Sequence, residues 1–168
     1  SKAGDASASD ALHSDLDSNP DWLAARLYLA EHYLRTESNA AAAELYEDLA
    51  RHMPNDGKVL GNLAAAWSRL DDPRAKAMAE RAQALRPNSP AVADTLGWAL
   101  VQQDDLTRGL PLLAAAIAGL PRDTAVRYHY AYALAKAGRR NEARAEIRRL
   151  REPGVRLPEG ASIATLED

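Results

Sequence analysis

The sequence predicts an all-α fold, a stack of about four helical hairpins, and three observations predict it. One short pattern returns at spacings of 34, 33 and 34 residues: "LAEHYL" from Leu29, "LAAAWS" from Leu63, "LGWALV" from Leu96 and "YAYALA" from Tyr130. A proline returns at a common phase, as Pro20, Pro54, Pro87 and Pro121. Phe is absent from the 168 residues, so alanine and leucine carry the packing, which favours close helix-on-helix contact over a β-sandwich.

Each first helix reads large, small, two variable residues, large: Leu29, Ala30, Tyr33; Leu63, Ala64, Trp67; Leu96, Gly97, Leu100; Tyr130, Ala131, Leu134. The outer members lie four apart, on one helical face. About twelve residues beyond each small one, Ala42, Ala75, Gly109 and Ala143 open second helices. Their inward pairs are Tyr46 and Leu49, Ala79 and Ala82, Leu113 and Ala116, Ile147 and Leu150. "TESN", "LDDP", "QQDD" and "AGRR" mark the turns within hairpins, and one residue missing from "LDDP" accounts for the 33-residue spacing. Asp21, Asp56, Ser89 before Pro90, and Asp123 stand as N-caps after the prolines.

Gly97 is the sharpest local clue. Glycine inside a helix costs about 1 kcal/mol relative to alanine, so a neighbouring helix must approach too closely for a side chain. Gly97 and the three alanines at its phase therefore mark where each second helix presses on the first. Trp98 points about 100° away from that contact, on another face. Pro111, two residues after Gly109, removes one hydrogen bond and is expected to bend its helix, either as a tolerated kink or as a local widening of a groove.

At these residues the chain resembles the tetratricopeptide repeat (TPR) family, whose pattern of W-x2-L-G-x2-Y, A-x3-F, A and P in 34 residues is met at Leu96-Gly97 and Leu100, at Gly109, Leu113 and Ala116, and at Pro121. The resemblance covers roughly residues 20 to 150. Departures are Arg26, Leu60, Ala93 and Arg127 at the early large position, Gly109 for alanine, and no proline in phase after the fourth unit. A Sel1-like array fits less well, since its spacing is longer and more variable. The resemblance implies a right-handed α-solenoid with units at about 20–53, 54–86, 87–120 and 121–151. Residues 1–19 form a flank that reads as the remnant of a preceding repeat helix. Residues 152–168 form a tail, with a short capping helix and disorder as its two readings.

Chemistry is poorly represented. There is no cysteine, no phosphate-cradling glycine loop, no G-x-S-x-G and no H-E-x-x-H. His13, His32, His52 and His129 are scattered in phase, and the acidic pairs Asp71-Asp72 and Asp104-Asp105 fall in hairpin turns. The expectation is a protein that is not an enzyme and holds no metal or cofactor. A net charge of -3 gives no bulk attraction to nucleic acid, and no apolar run is long enough to span a bilayer. Charge is nonetheless uneven: Asp5, Asp10, Asp15, Asp17 and Asp21 face a single Lys2 near the start, while residues 139–156 hold seven arginines and three glutamates. That polarity is read either as a solvated helix face or as a basis for weak head-to-tail self-association. The chain starts at Ser1 rather than Met, so it is expected to be a piece of a longer protein whose targeting signal is not included.

The resemblance implies that a partner protein or peptide binds on the concave face lined by the first helices. Mapped onto this sequence, those positions are Leu27, Glu31 and Arg35; Asn62, Ala65 and Arg69; Asp94, Trp98 and Gln102; Tyr128, Tyr132 and Lys136. Rings at Trp98, Tyr128 and Tyr132 have two readings, a binding hot spot or a cover for the next hairpin. The carboxylate clamp of some TPR proteins matches only at Asn62, with Leu27, Glu31, Ala91 and Thr95 in its other places. Residues 86–147 are further similar to the last repeats of bacterial TPR proteins tied to exopolysaccharide export and PEP-CTERM sorting. That likeness implies a scaffold in the periplasm or at the outer membrane, with the cytoplasm as the alternative.

Overall fold

The computed structural model describes residues 23–158 and 161–166, so the expectations for residues 1–19, Pro20 and Asp21 fall outside the described residues. Among the described residues there are eight α-helices and no strand. They are α1 (Leu23–Arg35), α2 (Asn39–His52), α3 (Gly57–Arg69), α4 (Ala75–Leu85), α5 (Pro90–Gln102), α6 (Leu106–Gly119), α7 (Thr124–Lys136) and α8 (Arg140–Leu150), followed by a 3-10 turn at Ala164–Leu166. The described residues fall into two compact units, divided between Arg81 and Ala82 inside α4.

In the first unit α1 packs on α2 and α2 on α3. Ala30, Ala42, Tyr46, Leu49, Leu63, Trp67 and Ala75 share one core. The weak early position of α1 is filled differently from an aromatic ring: Arg26 reaches Asp48 of α2 at 3.2 Å, replacing apolar fill with a half-buried ion pair. Trp67 donates from Nε1 to Glu47 at 3.0 Å, and the Arg74 guanidinium lies 4.1 Å over its ring.

In the second unit α5 packs on α6, α6 on α7 and α7 on α8. Arg127 takes the early position of α7 and pairs with Glu146 of α8 in the same manner as Arg26. The small-residue inference is met in both units: Ala30, Ala64 and Ala131 are 0% exposed and Gly97 is buried. A Cβ on Gly97 would sit 3.1 Å from the Gly109 carbonyl oxygen and 2.9 Å from Leu113 Cγ; one on Gly109 would sit 2.9 Å from the Gly97 oxygen. Two backbones meet there with no room for a side chain, and that packing offsets the propensity lost at Gly97. All eight inward positions of the second helices are buried.

The caps are largely those expected. Asp56 accepts from the Lys58 and Val59 amides at 2.8 and 3.0 Å, and Asp123 from Ala125 and Val126 at 2.9 and 3.1 Å. Each such cap contributes about 1 kcal/mol. Ser89 makes no side-chain cap bond; Pro90 presets the first helical residue in its place. Asp105, in the hairpin turn before α6, accepts from the Arg108 amide at 3.2 Å and caps that helix. Pro111 lies inside α6, which spans Leu106–Gly119.

One residue in every hairpin turn has positive φ, at Glu37 (61°), Asp71 (54°), Asp104 (64°) and Gly138 (73°). Only the last is the residue type that conformation favours. A Cβ on Gly138 would meet nothing within 4 Å, so Gly138→Ala isolates the backbone penalty. It is expected to cost roughly 1 kcal/mol, read as a melting temperature lower by about 2–4 °C in a thermal scan.

Candidate functional site

The candidate positions divide by unit. In the first, Leu27 is half-buried against the core rather than open to a ligand. Glu31 accepts from Lys58 Nζ at 2.5 Å, linking α1 to α3. Asn62 donates from Nδ2 to the Tyr46 hydroxyl at 2.8 Å, linking α3 to α2. Arg69 donates to the Leu34 carbonyl at 3.0 Å and to Asn39 Oδ1 at 3.4 Å. Arg35 is exposed and lies 3.2 Å from His32 Nδ1, and Ala65 is half-buried. Most polar groups of this set are therefore engaged in stitching α1, α2 and α3 together.

The second unit brings its candidates together around Trp98. The indole of α5 stacks on His129 of α7 with centroids 4.3 Å apart and planes 18° from parallel. Tyr132 meets it edge-on at 5.2 Å, and Tyr128 at 6.5 Å. Successive turns of α7 supply Tyr128 and Tyr132, and α5 supplies Asp94 one turn before Trp98. Both carboxylate oxygens of Asp94 face His129 Nδ1, at 2.9 and 3.1 Å, and fix the ring under the indole. Lys136 donates to the Val101 carbonyl at 3.2 Å, pairs with Asp104 at 2.7 Å, and places its ammonium 5.9 Å from the Tyr132 ring. The hydrogen bond to Asp104 raises the Lys136 ammonium above the usual lysine range. Gln102 is exposed at the end of α5.

Tyr128, for which a binding ring and a covering ring were both readings, is itself covered. It is 8% exposed, and its hydroxyl lies 3.4 Å from both the Ser162 amide and Thr165 Oγ1 of the C-terminal segment. Sequence reasoning also left His129 aside as one of four scattered histidines. Its pairing with Asp94, 35 residues earlier, needs one repeat length plus one residue, a relation that a search at constant phase passes over.

Among the described residues no group of three or more His, Asp or Glu is placed to hold a metal ion, and no helix is long and apolar enough to cross a membrane. The arrangement is suited to non-covalent recognition: aromatic faces and edges in a fixed array, flanked by the carboxylate of Asp94 and the ammonium of Lys136.

Residues 100–164 match the family model of the tetratricopeptide repeat. No curated protein matches the chain in sequence. Among solved structures, YrrB, described as a TPR protein with an unusual peptide-binding site, is similar at 18% identity over 87% of this chain and 76% of that one, with a TM-score of 0.63. TTC0263, a thermophilic TPR protein of Thermus thermophilus, is similar at 19% identity over 87% and 81%, with a TM-score of 0.66. MamA of Desulfovibrio magneticus RS-1 is similar at 24% identity over 76% and 73%, with a TM-score of 0.60. The fold is thus that of the tetratricopeptide-repeat solenoids, and residues 100–164 match the repeat family in sequence as well.

Proposed function

We propose that the chain is a protein-interaction scaffold that holds a partner protein or peptide against the rings of α5 and α7. The observation that carries this is the half-buried array of Trp98, His129 and Tyr132 fixed by Asp94. Rigid amphipathic rings give large contact area with little side-chain entropy to lose, which is why such residues dominate binding energy at interfaces. The peptide-binding site named for YrrB supports the reading by likeness of fold. The similarity of residues 86–147 to exopolysaccharide-export and PEP-CTERM-linked TPR proteins supports a bacterial envelope complex, in the periplasm or at the outer membrane, as the setting.

The test is Trp98→Ala combined with Tyr132→Ala, followed by pull-down from the native cell envelope and mass spectrometry. Helical circular dichroism is expected to be preserved and partner capture lost, a drop in affinity of roughly a thousandfold for two hot-spot rings at ~2 kcal/mol each. Unfolding of the double variant would instead assign the rings to packing.

A second reading, self-association, is favoured by one observation. Arg140, Arg144 and Arg148 lie along one face of α8, exposed and without an ion pair among the described residues. The five aspartates before residue 22 supply a complementary charge on a second copy. Light scattering at low salt should then show oligomers that dissociate as salt rises; a monomer at high concentration and low salt removes this reading.

A further inference from the structure

The C-terminal segment offers a contact that the repeat pattern does not call for. After α8, Pro153 and Gly154 (φ 86°) turn the chain, and Val155, Leu157, Ala161 and Ile163 pack against a cluster of Tyr128, Ala131, Ile147, Leu150 and Leu166. Trp98 and Tyr132 lie against that same cluster. The segment therefore lies over part of the face read above as the partner site.

Its attachment is of a particular kind. Among the described residues the backbone-to-backbone hydrogen bonds of the segment are local: Val155 to Glu152, Ala161 to Pro158 and Leu166 to Ile163. Among the described residues, what ties it to α7 is aliphatic side chains and two long contacts of the Tyr128 hydroxyl, which accepts from the Ser162 amide and meets Thr165 Oγ1. Leu166 is nonetheless 3% exposed, so the contact is formed and dry at its end. A segment held mainly by side chains, sharing no backbone-to-backbone hydrogen bond with α7 among the described residues, can be exchanged for another of like chemistry.

We infer that residues 155–158 and 161–166 are a resident and displaceable occupant of the partner face, and that the face takes a segment with aliphatic residues two apart. This rests on the partner reading above and adds the chemistry of the ligand and its competitor. The spacing of Val155 to Leu157 and of Ala161 to Ile163 is the recognition pattern. A partner must displace the tail, so its apparent affinity is reduced by the fraction of molecules in which the face is free.

The experiment uses the full chain and a fluorescein-labelled synthetic peptide of residues 153–168 as probe. Ile163→Asp with Leu166→Asp in the protein releases the tail by placing charge in the dry contact. Fluorescence anisotropy is expected to show the peptide binding the released variant at least about tenfold more tightly than the unaltered chain. A peptide carrying the same two aspartates is expected not to bind. If the released variant keeps its helical signal and does not bind the peptide, or if it loses helicity because the tail is an inseparable part of the core, the inference fails. Failure of the partner reading is seen separately, as capture from the envelope that survives Trp98→Ala with Tyr132→Ala.

Discussion

Gly109→Val is expected to lower the melting temperature by roughly 6–12 °C, corresponding to ~3 kcal/mol at the usual entropy of unfolding for a chain of this size. The first added carbon would lie 2.7 Å from Val101 Cγ2, 2.9 Å from the Gly97 carbonyl oxygen and 3.2 Å from the Val101 amide nitrogen. Two of those three atoms are backbone, and Val101 is fully buried, so α5 and α6 must move apart. Gly109→Ala suffers the same first contact but regains about 1 kcal/mol of helix propensity, so its loss is smaller. Gly97→Ala is milder still, because two of its three nearest atoms belong to the Leu113 side chain, which can rotate in part. The order is read from thermal melts followed by circular dichroism. A Gly109→Val chain that melts with the unaltered one would remove the close approach as the reason for glycine here.

Tyr46→Ala is expected to cost about 3–5 kcal/mol, since the ring is fully buried and its loss leaves a cavity in the first unit together with an unpaired Asn62 amide. The same ring gives a pH signature. Burial pushes the Tyr46 hydroxyl up to about 12; the Asn62 hydrogen bond opposes that rise and the Glu31 charge adds to it. The folded state thus favours the neutral phenol, whereas the unfolded ring ionises near 10. This contribution is complete below pH 10 and is lost as pH rises from 10 to 12, amounting to ~2 kcal/mol by the upper end. Tyr46→Phe has no such group. It is therefore expected to be less stable than the unaltered chain at pH 8, by the ~1 kcal/mol of a hydrogen bond, and to overtake it near pH 11. Denaturant titrations of both chains at pH 8, 10 and 11.5 follow the crossing; parallel curves would contradict it.

Most of the helical framework could be read from residues because it depends on local periodicity. Inward positions such as Tyr46 and Leu49, the buried small residues Ala30, Ala64, Gly97 and Ala131, and the caps Asp56 and Asp123 all follow from spacing along one or two helices. The turns were legible in place but not in conformation: Glu37, Asp71 and Asp104 adopt positive φ without the glycine that would announce it. Arg26 and Arg127 looked like defects in the pattern, because an ion pair to the second helix leaves no trace in hydrophobic spacing.

The candidate site was legible in part. Trp98, Tyr132 and Asp94 do gather in the second unit, joined by a histidine that no motif singled out. The polar candidates of the first unit are largely engaged within it, since long side chains on adjacent helices pair wherever their rotation allows, and rotation is set by packing rather than by sequence distance. The burial of Tyr128 was hidden for a different reason. The segment that covers it has no regular period beyond one 3-10 turn, so nothing in its spacing marks where it docks.

The most direct measurement is site-specific photo-crosslinking in the native envelope, with benzoylphenylalanine placed at Tyr132 in one chain and at exposed Ala115 of α6 in another. A partner crosslinked from position 132 and not from position 115 is the result expected if the rings of α5 and α7 form the binding face. Crosslinking from position 115, with none from 132, would contradict it.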